Sequence, residues 1–429
     1  MKKRVAVFPA GSEIGLEINS ALKYSTHFDV YGFSSVPCHA SYVFSNYIEG
    51  VPFYKDNQFI TELNKLIDEN KIDFIYPAYD DVQLYLTEMQ EQLHAKVVTS
   101  ELDTVKICRS KEATYEFFQD CWFVPKHYSA VDKIETFPVF VKPDVGQGAQ
   151  GAKMIRSQRE LDFALEENPN VVICEYLPGD EYTMDCLTDG EGELRVCRMR
   201  DRRRIRNGIS VSSQQLLVPD KIRLIAEEIN RRMNFCGAWF FQMKKNVKGE
   251  FRMLEIAPRI AGTMGMSRNT GVNYPLLTLF CQMGMPVDII ENDYGIEVDR
   301  ALVSRYHTDI EYDTVYVDLD DTLIVNGKVN TTLIQYLYQT VNEEKKRVLL
   351  TKHIKVVSET LEARRIAESL FDEIICIRPE DEKSNYIKAE KAIFIDDSFS
   401  ERKRVSETCH IPVFDCSEVE ALLDWRVAK

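Results

Sequence analysis

Strand and helix signals alternate twice along this chain, once at each end, and the stretch between them is rich in strands. Near the start, "RVAVFPA" is strand-like and runs into "GSEIGLEINSALKY", a glycine turn opening a helix. "FDVYGFS" is a second strand, "NQFITELNKLIDENKI" has helical periodicity, and "IDFIYPAYDD" returns to strand. Such alternation predicts a parallel sheet with helices on both faces. "SELDTVKICRSKEATYEFFQDC" (100–121) reads as a helix, and "VNYPLLTLFCQMGM" as a buried helix ending near Gly284. The segments "FPVFVKPDVGQGAQGAKMI", "NVVICEYLPGDEYTMDCLTD" and "CGAWFFQMKKNVKGEFRMLEIAPRIAG" are β-rich, with Asn246–Glu250 as a hairpin turn. Residues 300–312 read as a strand and connector, and a second alternation begins at Thr314. The expected fold class is α/β and α+β, in several domains.

Composition narrows the class. The 429 residues are 45% hydrophobic and 28% charged, a globular balance that fits two to four domains. The formal net charge of -15 repels nucleic acid and anionic membrane surfaces. Eleven cysteines are scattered with no C-x-x-C pair, so reduced thiols are expected rather than a disulfide framework or zinc site. The apolar run of "MKKRVAVFPAGSEIG" is short and breaks at Pro9, which reads as a first strand and not a signal peptide. No apolar segment approaches the roughly 18 residues of a membrane span. A cytoplasmic location is expected.

The middle of the chain carries the first chemistry. In "VFVKPDVGQGAQGAKMI" a strand ends at Lys142, a loop with Gly146, Gly148 and Gly151 follows, and a strand resumes near Ala152. Glycines let backbone N–H groups approach phosphate oxygens, and a lysine beside them neutralises charge; a flexible hairpin is the alternative. Strands flank the loop, so it is not a P-loop. "AGSEIG" near the start lacks the full dinucleotide pattern and reads as a tight turn. "VVICEYLPGDEYT" is an apolar strand whose edge suits an adenine, with Glu181 placed to accept ribose hydroxyls. Gln242 and Glu255 fall on adjacent strands of the hairpin and offer oxygen ligands suited to Mg²⁺. Arg259 follows, fit to hold an anion. "CRMRDRRRIRNGISVSS" (197–213) sets six arginines against one aspartate. A solvated basic loop is one reading; the other is anion binding, with Arg206 the choice because it adjoins Asn207-Gly208. Asp80 and Asp81 end a strand, where they could hold a substrate amine or cap the following helix; capping is preferred.

Taken in order, these stretches resemble the ATP-grasp superfamily over about residues 1–300, nearest the carboxylate–amine ligase branch with its carbamoyl-phosphate synthetase-like members. The resemblance implies an open α/β pre-grasp domain at 1–100 and an ATP-grasp domain at 101–305. It implies that Lys111 and Lys142 contact ATP phosphates, that the 146–151 loop covers them, that Glu175, Tyr176 and Leu177 form the adenine hinge, and that Glu181 binds ribose. Glu255 and Gln242 would hold Mg²⁺. Relatives often carry Asn two residues after the metal glutamate; this chain has Ala257, which leaves the number of ions open. The implied reaction phosphorylates a carboxylate with ATP, after which an amine displaces phosphate to give an amide and ADP.

The tail poses its own question. "TVYVDLDDTLIV" (314–325) drives a strand into Asp318, Asp320 and Asp321. Crowded carboxylates repel unless a cation or a function compensates. The motif resembles D-x-D-x-T of the haloacid dehalogenase superfamily, with Asp321 where glycine is common. Companion motifs follow in order: "KRVLLT" ending in Thr351, "DEKSNYI" with Lys383, and "KAIFIDDS" with Asp396 and Asp397. The resemblance covers about 313–429 and implies a Rossmannoid domain. Asp318 would be the nucleophile and Asp320 the acid/base. Thr351 and Lys383 would hold phosphoryl oxygens. Asp318, Asp320, Asp396 and Asp397 would supply the Mg²⁺ site. About 28 residues separate Thr322 from Thr351 and about 31 separate Thr351 from Lys383, too few for a cap domain.

The sequence thus predicts a bifunctional biosynthetic enzyme: an ADP-forming ligase joining small carboxylate and amine substrates, coupled to a phosphatase acting on a phosphorylated amine or on the ligated product. A sugar acid or amino acid in surface-glycan or small-metabolite synthesis would suit it. The alternative is an ATP-grasp kinase or carbamoyl-phosphate-type synthase with the tail as a phosphate-binding regulatory module. Relatives often pair, so a homodimer is a further expectation.

Overall fold

The computed structural model describes residues 2–128, 134, 136–146, 148, 150–206 and 208–426. The chain divides into two compact units, Met1–Leu302 and Val303–Lys429.

The first unit opens with β1 (Lys3–Phe8), α1 (Glu13–Leu22), β2 (Phe28–Ser34), β3 (Asn46–Glu49), α2 (Phe59–Asn70), β4 (Phe74–Pro77), α3 (Asp80–Glu88) and β5 (Lys96–Val97). They form a parallel sheet of order β3-β2-β1-β4-β5. Val5, Ala6 and Val7 are wholly buried in succession, as befits a parallel strand covered on both faces. The first turn of α1 needs its glycine to pack on the loop after β1: a Cβ on Gly15 would stand 2.6 Å from the Ala10 carbonyl oxygen. Ser12 caps α1 by accepting from Gly15 N at 2.9 Å.

Residues 100–121, which read as one helix, form two: α4 (Leu102–Arg109) and α5 (Lys111–Phe117). The break is Ser110, whose backbone is extended and whose Oγ caps α5 by accepting from Ala113 N. Asp144 fixes it, accepting from Ser110 Oγ and Glu112 N, each at 2.8 Å. A serine able to cap outweighs the helical periodicity around it.

A small antiparallel sheet follows, of order β6-β9-β7-β8, from β6 (His127–Tyr128), β7 (Val139–Pro143), β8 (Lys153–Ile155) and β9 (Val171–Glu175), with α6 (Gln158–Glu167) between the last two. The larger antiparallel sheet comprises β10 (Glu181–Thr188), β11 (Leu194–Asp201), β12 (Arg204–Arg206), β13 (Ile209–Leu216), β14 (Gly237–Lys245) and β15 (Phe251–Ala257) in the order β12-β13-β11-β10-β14-β15. The helix α7 (Asp220–Arg232) precedes β14, and α8 (Gly265–Arg268) and α9 (Tyr274–Gln282) follow β15. The hairpin turn at 246–250 forms because Asn246 Oδ1 accepts from both Lys248 N and Glu250 N. Trp239 anchors this sheet: it is fully buried, stacks on Phe235 with centroids 4.2 Å apart, and donates its indole N–H to Thr188 Oγ1 at 2.8 Å.

The strand expected at 300–312 is instead β16 (Glu297–Asp299), paired with β13. Residues 300–312 have no regular element; Leu302 is 97% exposed, so its apolar side chain finds no sheet to pack on.

In the second unit β17 (Thr314–Val317), β18 (Ile324–Val325), β19 (Lys328–Val329), α10 (Thr331–Asn342), β20 (Lys346–Thr351), α11 (Val357–Ala363), β21 (Glu373–Cys376), β22 (Ala392–Ile395), α12 (Phe399–Cys409) and β23 (Val413–Phe414) follow in turn. Five strands make a parallel sheet of order β21-β20-β17-β22-β23, with β17 central and buried. Only the short β18–β19 hairpin and α10 lie between β17 and β20, and no inserted cap domain occurs among the described residues. Asp321 has φ of 52°, the left-handed region that a glycine adopts without strain and that aspartate tolerates. All eleven cysteines are free. Among the described residues no helix is long and apolar enough to cross a membrane.

Replacing Trp239 by Ala removes a fully buried ring and the indole hydrogen bond to Thr188 Oγ1, and is expected to destabilise the first unit by about 3–5 kcal/mol. Urea unfolding followed by circular dichroism should show that unit's transition moving to lower denaturant while that of 303–429 stays in place.

Candidate active sites

Two cavities meet in the first unit. The smaller, about 200 Å³, is walled by Phe140, Lys142, Cys174, Leu177 and Leu254, with Glu175 and Glu181 at its edge. The larger, about 440 Å³, extends past Asp80, Arg109, Phe240 and Arg259 to Glu13 and Arg300. They share a wall: Lys111, Gly146, Gly148, Gln150, Arg202, Gly208, Gln242 and Glu255. An apolar slot therefore opens into a charged chamber across a belt of phosphate- and metal-type groups.

The residues of the belt, and Lys142 beside it, owe their places to local structure. Gln242 and Glu255 are direct partners in the β14–β15 register, which turns both toward the shared wall. Lys111 is the first residue of α5, and its Nζ donates to the Asp144 carbonyl at 3.1 Å. Burial lowers its pKa, opposed by the Glu255 and Asp144 charges. Lys142 is buried at the end of β7; its Nζ donates to Tyr115 Oη at 2.7 Å and to the Leu254 carbonyl at 2.9 Å, and burial lowers its pKa too. Gly208 touches the glycine loop so closely that a Cβ there would stand 2.2 Å from the Gly148 carbonyl carbon.

Other expected residues lie elsewhere in the site or outside it. The Glu175 side chain turns to Lys126 N at 2.9 Å and to Arg252, so its backbone is what the strand edge can offer an adenine. Leu177 lines the smaller cavity, while Tyr176 lines neither cavity. Glu181 lies 3.0 Å from Arg202 Nε and 3.9 Å from Lys244 Nζ. Gly151 packs on Pro143 rather than on either cavity. Gln147, Ala149 and Asn207, the last invoked to aim Arg206 inward, fall outside the described residues.

Arg206 requires correction. It is exposed on β12, and the arginines of its run that reach the cavities are Arg200 and Arg202. The signal was alternation: Arg198, Arg200 and Arg202 follow one another at every second residue on and just past β11, and a strand turns such a set to one face. Arg200 is held by Asp185 through Nε–Oδ2 at 2.8 Å and Nη2–Oδ1 at 3.1 Å, both residues buried.

Asp80 and Asp81 do not cap α3 through their side chains; Tyr79 is the cap residue. Asp80 takes a two-point contact from Arg259, at 2.6 and 2.7 Å, and Asp81 pairs with Arg109. The reason is burial: a carboxylate inside the cavity wall gains more from a guanidinium than from a backbone amide. Burial alone would raise the Asp80 carboxyl, but the Arg259 charge and hydrogen bonds, with Arg109 near, hold it below its ordinary value.

In the second unit Asp318 follows β17 and Asp396 follows β22, on neighbouring strands of the parallel sheet. Lys383 Nζ bridges them, 2.6 Å from Asp318 Oδ1 and 2.6 Å from Asp396 Oδ2. Oxygens of Asp318, Asp396 and Asp397 all lie within 4.8 Å of one another. Three carboxylates against one ammonium leave residual negative charge on hard oxygen donors, which fits a divalent cation such as Mg²⁺. Burial raises Asp318 to about 6; Lys383 pulls it down and Asp396 pushes it up. Thr351 is fully buried at the end of β20, and its Oγ1 accepts from His353 N.

Asp320 is outside the carboxylate trio. Both its oxygens contact His353 Nδ1, at 3.0 and 2.8 Å, while His353 Nε2 meets Thr360 Oγ1 at 2.8 Å. Sequence reasoning missed His353. Its signal was an imidazole two residues past Thr351, on a loop at the carboxyl edge of the sheet.

Residues 167–302 match the family described as "ATP-grasp in the biosynthetic pathway with Ter operon". Over 179 residues the chain is 30% identical to the carbamoyl phosphate synthase large chain of Clostridium beijerinckii, covering 38% of this chain and 16% of that one. Over 132 residues it is 26% identical to the 3-methyl-D-ornithine–L-lysine ligase of Methanosarcina mazei, covering 30% and 33%. The structure of N5-carboxyaminoimidazole synthetase from Staphylococcus aureus complexed with ADP aligns with a TM-score of 0.57 at 16% identity, over 68% of this chain and 81% of that one. The first unit has the ATP-grasp fold. The chain spans a third or less of these two curated relatives. ATP-grasp enzymes use ATP and Mg²⁺, and the belt described above has the groups to meet both.

Substituting Arg259 by Met leaves Asp80 buried without its partner, a loss of about 3–5 kcal/mol at neutral pH. Because the folded-state pKa of Asp80 is lowered, its contribution is present above the ordinary carboxylate range and fades as pH falls through the folded value. In the variant the carboxyl is protonated, so the gap in unfolding free energy between the two proteins should narrow as urea titrations move from pH 7 toward about pH 3.

Proposed function

We propose that the chain is a bifunctional enzyme whose first unit is an ATP-dependent carboxylate–amine ligase and whose second unit is a Mg²⁺-dependent phosphatase. The observation that carries the ligase reading is the belt shared by the two cavities. Adenine and ribose would occupy the smaller one, between the strand edge at Glu175–Leu177 and Glu181. The phosphates would cross the belt beneath the glycine loop, on Lys111 and Lys142. The acid and amine would occupy the larger one. Gln242 and Glu255 would hold Mg²⁺, which neutralises phosphate oxygens when bound. Arg259, fixed by Asp80, then faces the oxygens of the phosphoryl group as it moves to the acid. Its pKa is raised: burial works against the charge, but the Asp80 carboxylate outweighs it. The amine displaces phosphate from the acyl phosphate to leave an amide. The similarity to an enzyme named as a ligase of two amino compounds supports amide formation. The similarity to a carbamoyl phosphate synthase supports an acyl-phosphate intermediate and keeps open a kinase-type reaction that needs no amine.

In the second unit Asp318 would take up the phosphoryl group, with Thr351 and Lys383 holding its oxygens. Asp320, kept in place by His353, would protonate the leaving oxygen and then activate water. The Asp318–Asp396–Asp397 trio would hold Mg²⁺, which offsets the charge of two anions meeting. The substrate would be a phosphorylated amine or the ligated product, in the cytoplasm, with a homodimer as the assembly.

Two substitutions separate the halves. Glu255→Gln is expected to lower acid- and amine-dependent ADP release at least about 100-fold while hydrolysis of p-nitrophenyl phosphate persists. Asp318→Asn is expected to cut that hydrolysis at least about 1,000-fold and leave ADP release intact. ADP release that needs an acid but no amine would overturn the ligase in favour of the kinase. Full p-nitrophenyl phosphate turnover by the Asp318 variant would overturn the phosphatase assignment.

A further inference from the structure

The larger cavity reaches well past the belt, and the charges on that far part follow a pattern. Four arginines line it outside the belt, and each is matched to one carboxylate. Arg109 lies 2.5 Å from Asp81, Arg200 2.8 Å from Asp185, Arg259 2.6 Å from Asp80, and Arg300 2.7 Å from Glu13. A chamber so balanced has no excess charge with which to gather a polyanion or a polycation. It can take a ligand carrying one charge of each sign, provided one wall pair can open.

Only one of the four can open at small cost. The Arg200–Asp185 pair is buried, and Arg259–Asp80 is held at two points. Arg109 donates through both Nε and Nη2 to Asp81. Glu13 and Arg300, by contrast, are partly exposed, at 44% and 25% of their side chains. Their contact is also poorly aligned. Arg300 Nη1 is shielded from solvent and 2.7 Å from Glu13 Oε2, yet among the described residues it makes no directed hydrogen bond. A buried donor left unspent is costly and is relieved by an incoming oxygen. The space beside the pair is kept clear by Gly262: a Cβ there would stand 3.3 Å from Glu13 Oε2 and 3.5 Å from Arg300 Nη1. Arg200 Nη1, on the same cavity, is another buried donor without a hydrogen-bond partner among the described residues.

We propose that this end of the cavity binds the amine substrate, and that the amine is a zwitterionic α-amino acid, with its ammonium on Glu13 and its carboxylate on Arg300. The inference rests on the ligase reading given above. The α-placement follows from the wall: Glu13 and Arg300 touch, so the two charges they recognise must sit on one carbon rather than at the ends of a chain. In the transfer the ammonium gives one proton to Glu13, and the freed nitrogen pair forms the bond to the acyl carbon. The carbon–oxygen bond to phosphate breaks, the phosphate leaves with that electron pair, and it takes the second nitrogen proton.

The test uses the full chain with MgADP present and the common L-α-amino acids as probes, each alongside its methyl ester and its N-acetyl derivative. Thermal shift and calorimetry should find at least one free amino acid that binds, with ester and acetyl forms at least about 10-fold weaker. Glu13→Gln and Arg300→Gln should each weaken that binding by about 10- to 100-fold while keeping the MgADP shift, which shows that the variants are folded. The inference is overturned if no free amino acid binds, if the blocked forms bind equally, or if both variants bind as the unaltered chain does. The ligase reading is tested apart from it, by ADP release in the presence of hydroxylamine, which traps an acyl phosphate whatever the natural amine. Trapping without amino-acid binding rejects only the amine assignment. Amino-acid binding without any ADP release rejects the ligase and leaves a binding site.

Discussion

Most of the charge buried around the two sites lies against opposite charge, and both sites grow from that constraint. An isolated ion in the interior costs several kcal/mol, so most buried cations bring a carboxylate with them, while Lys142 spends its donors on Tyr115 Oη and the Leu254 carbonyl. Arg200 comes with Asp185, Arg259 with Asp80, and Lys383 with Asp318 and Asp396. Pairing fixes the side chains, since a buried two-point contact leaves few rotamers. The two units differ in how the count closes. In the first, around the part of the larger cavity outside the belt, four arginines meet four carboxylates. In the second, one lysine faces three carboxylates, and the surplus is what a divalent ion would neutralise.

Backbone geometry decides where these pairs fall. Asp80 follows β4, Asp318 follows β17 and Asp396 follows β22, each at the carboxyl end of a parallel strand, where open α/β sheets present their ligand crevice. An antiparallel hairpin solves a different problem in the first unit. Its register sets Gln242 opposite Glu255, so two oxygen ligands share one face without any helix between them. Gly208 then lets the turn after β12 press on the glycine loop at a distance no side chain would permit.

Much of this was legible in the residues. The apolar runs and helical periods gave the parallel sheets, and the Asn246–Glu250 turn gave the hairpin that pairs Gln242 with Glu255. What escaped was settled by tertiary partners. Ser110 splits a helix because Asp144, 34 residues on, holds it. Asp80 and Asp81 read as caps because their arginine partners are distant in sequence, Arg259 by 179 residues and Arg109 by 28. The inward arginine was sought beside a turn, at Arg206, when strand alternation had already selected Arg200 and Arg202. His353 escaped for a plainer cause: a lone histidine two residues past Thr351 is a weak signal, and only the fold brings it to Asp320.

That last contact separates two carboxylates that the motif spaces only two residues apart. Asp318 is buried and locked by Lys383, whereas Asp320 is half exposed and leans on His353. Thr360 Oγ1 donates to the Val356 carbonyl, so it accepts from His353 Nε2, which must carry a proton. The 2.8 Å contact between His353 Nδ1 and Asp320 then fixes that carboxylate beside an imidazole, apart from the Asp318 cluster. On the proposed reading, the half-exposed carboxylate beside an imidazole would serve as acid and base, and the one pinned between an ammonium and a metal-type cluster would attack. On the proposed phosphatase reading the neighbours would set the division of labour between the two aspartates, and Asp320 is the one that faces solvent.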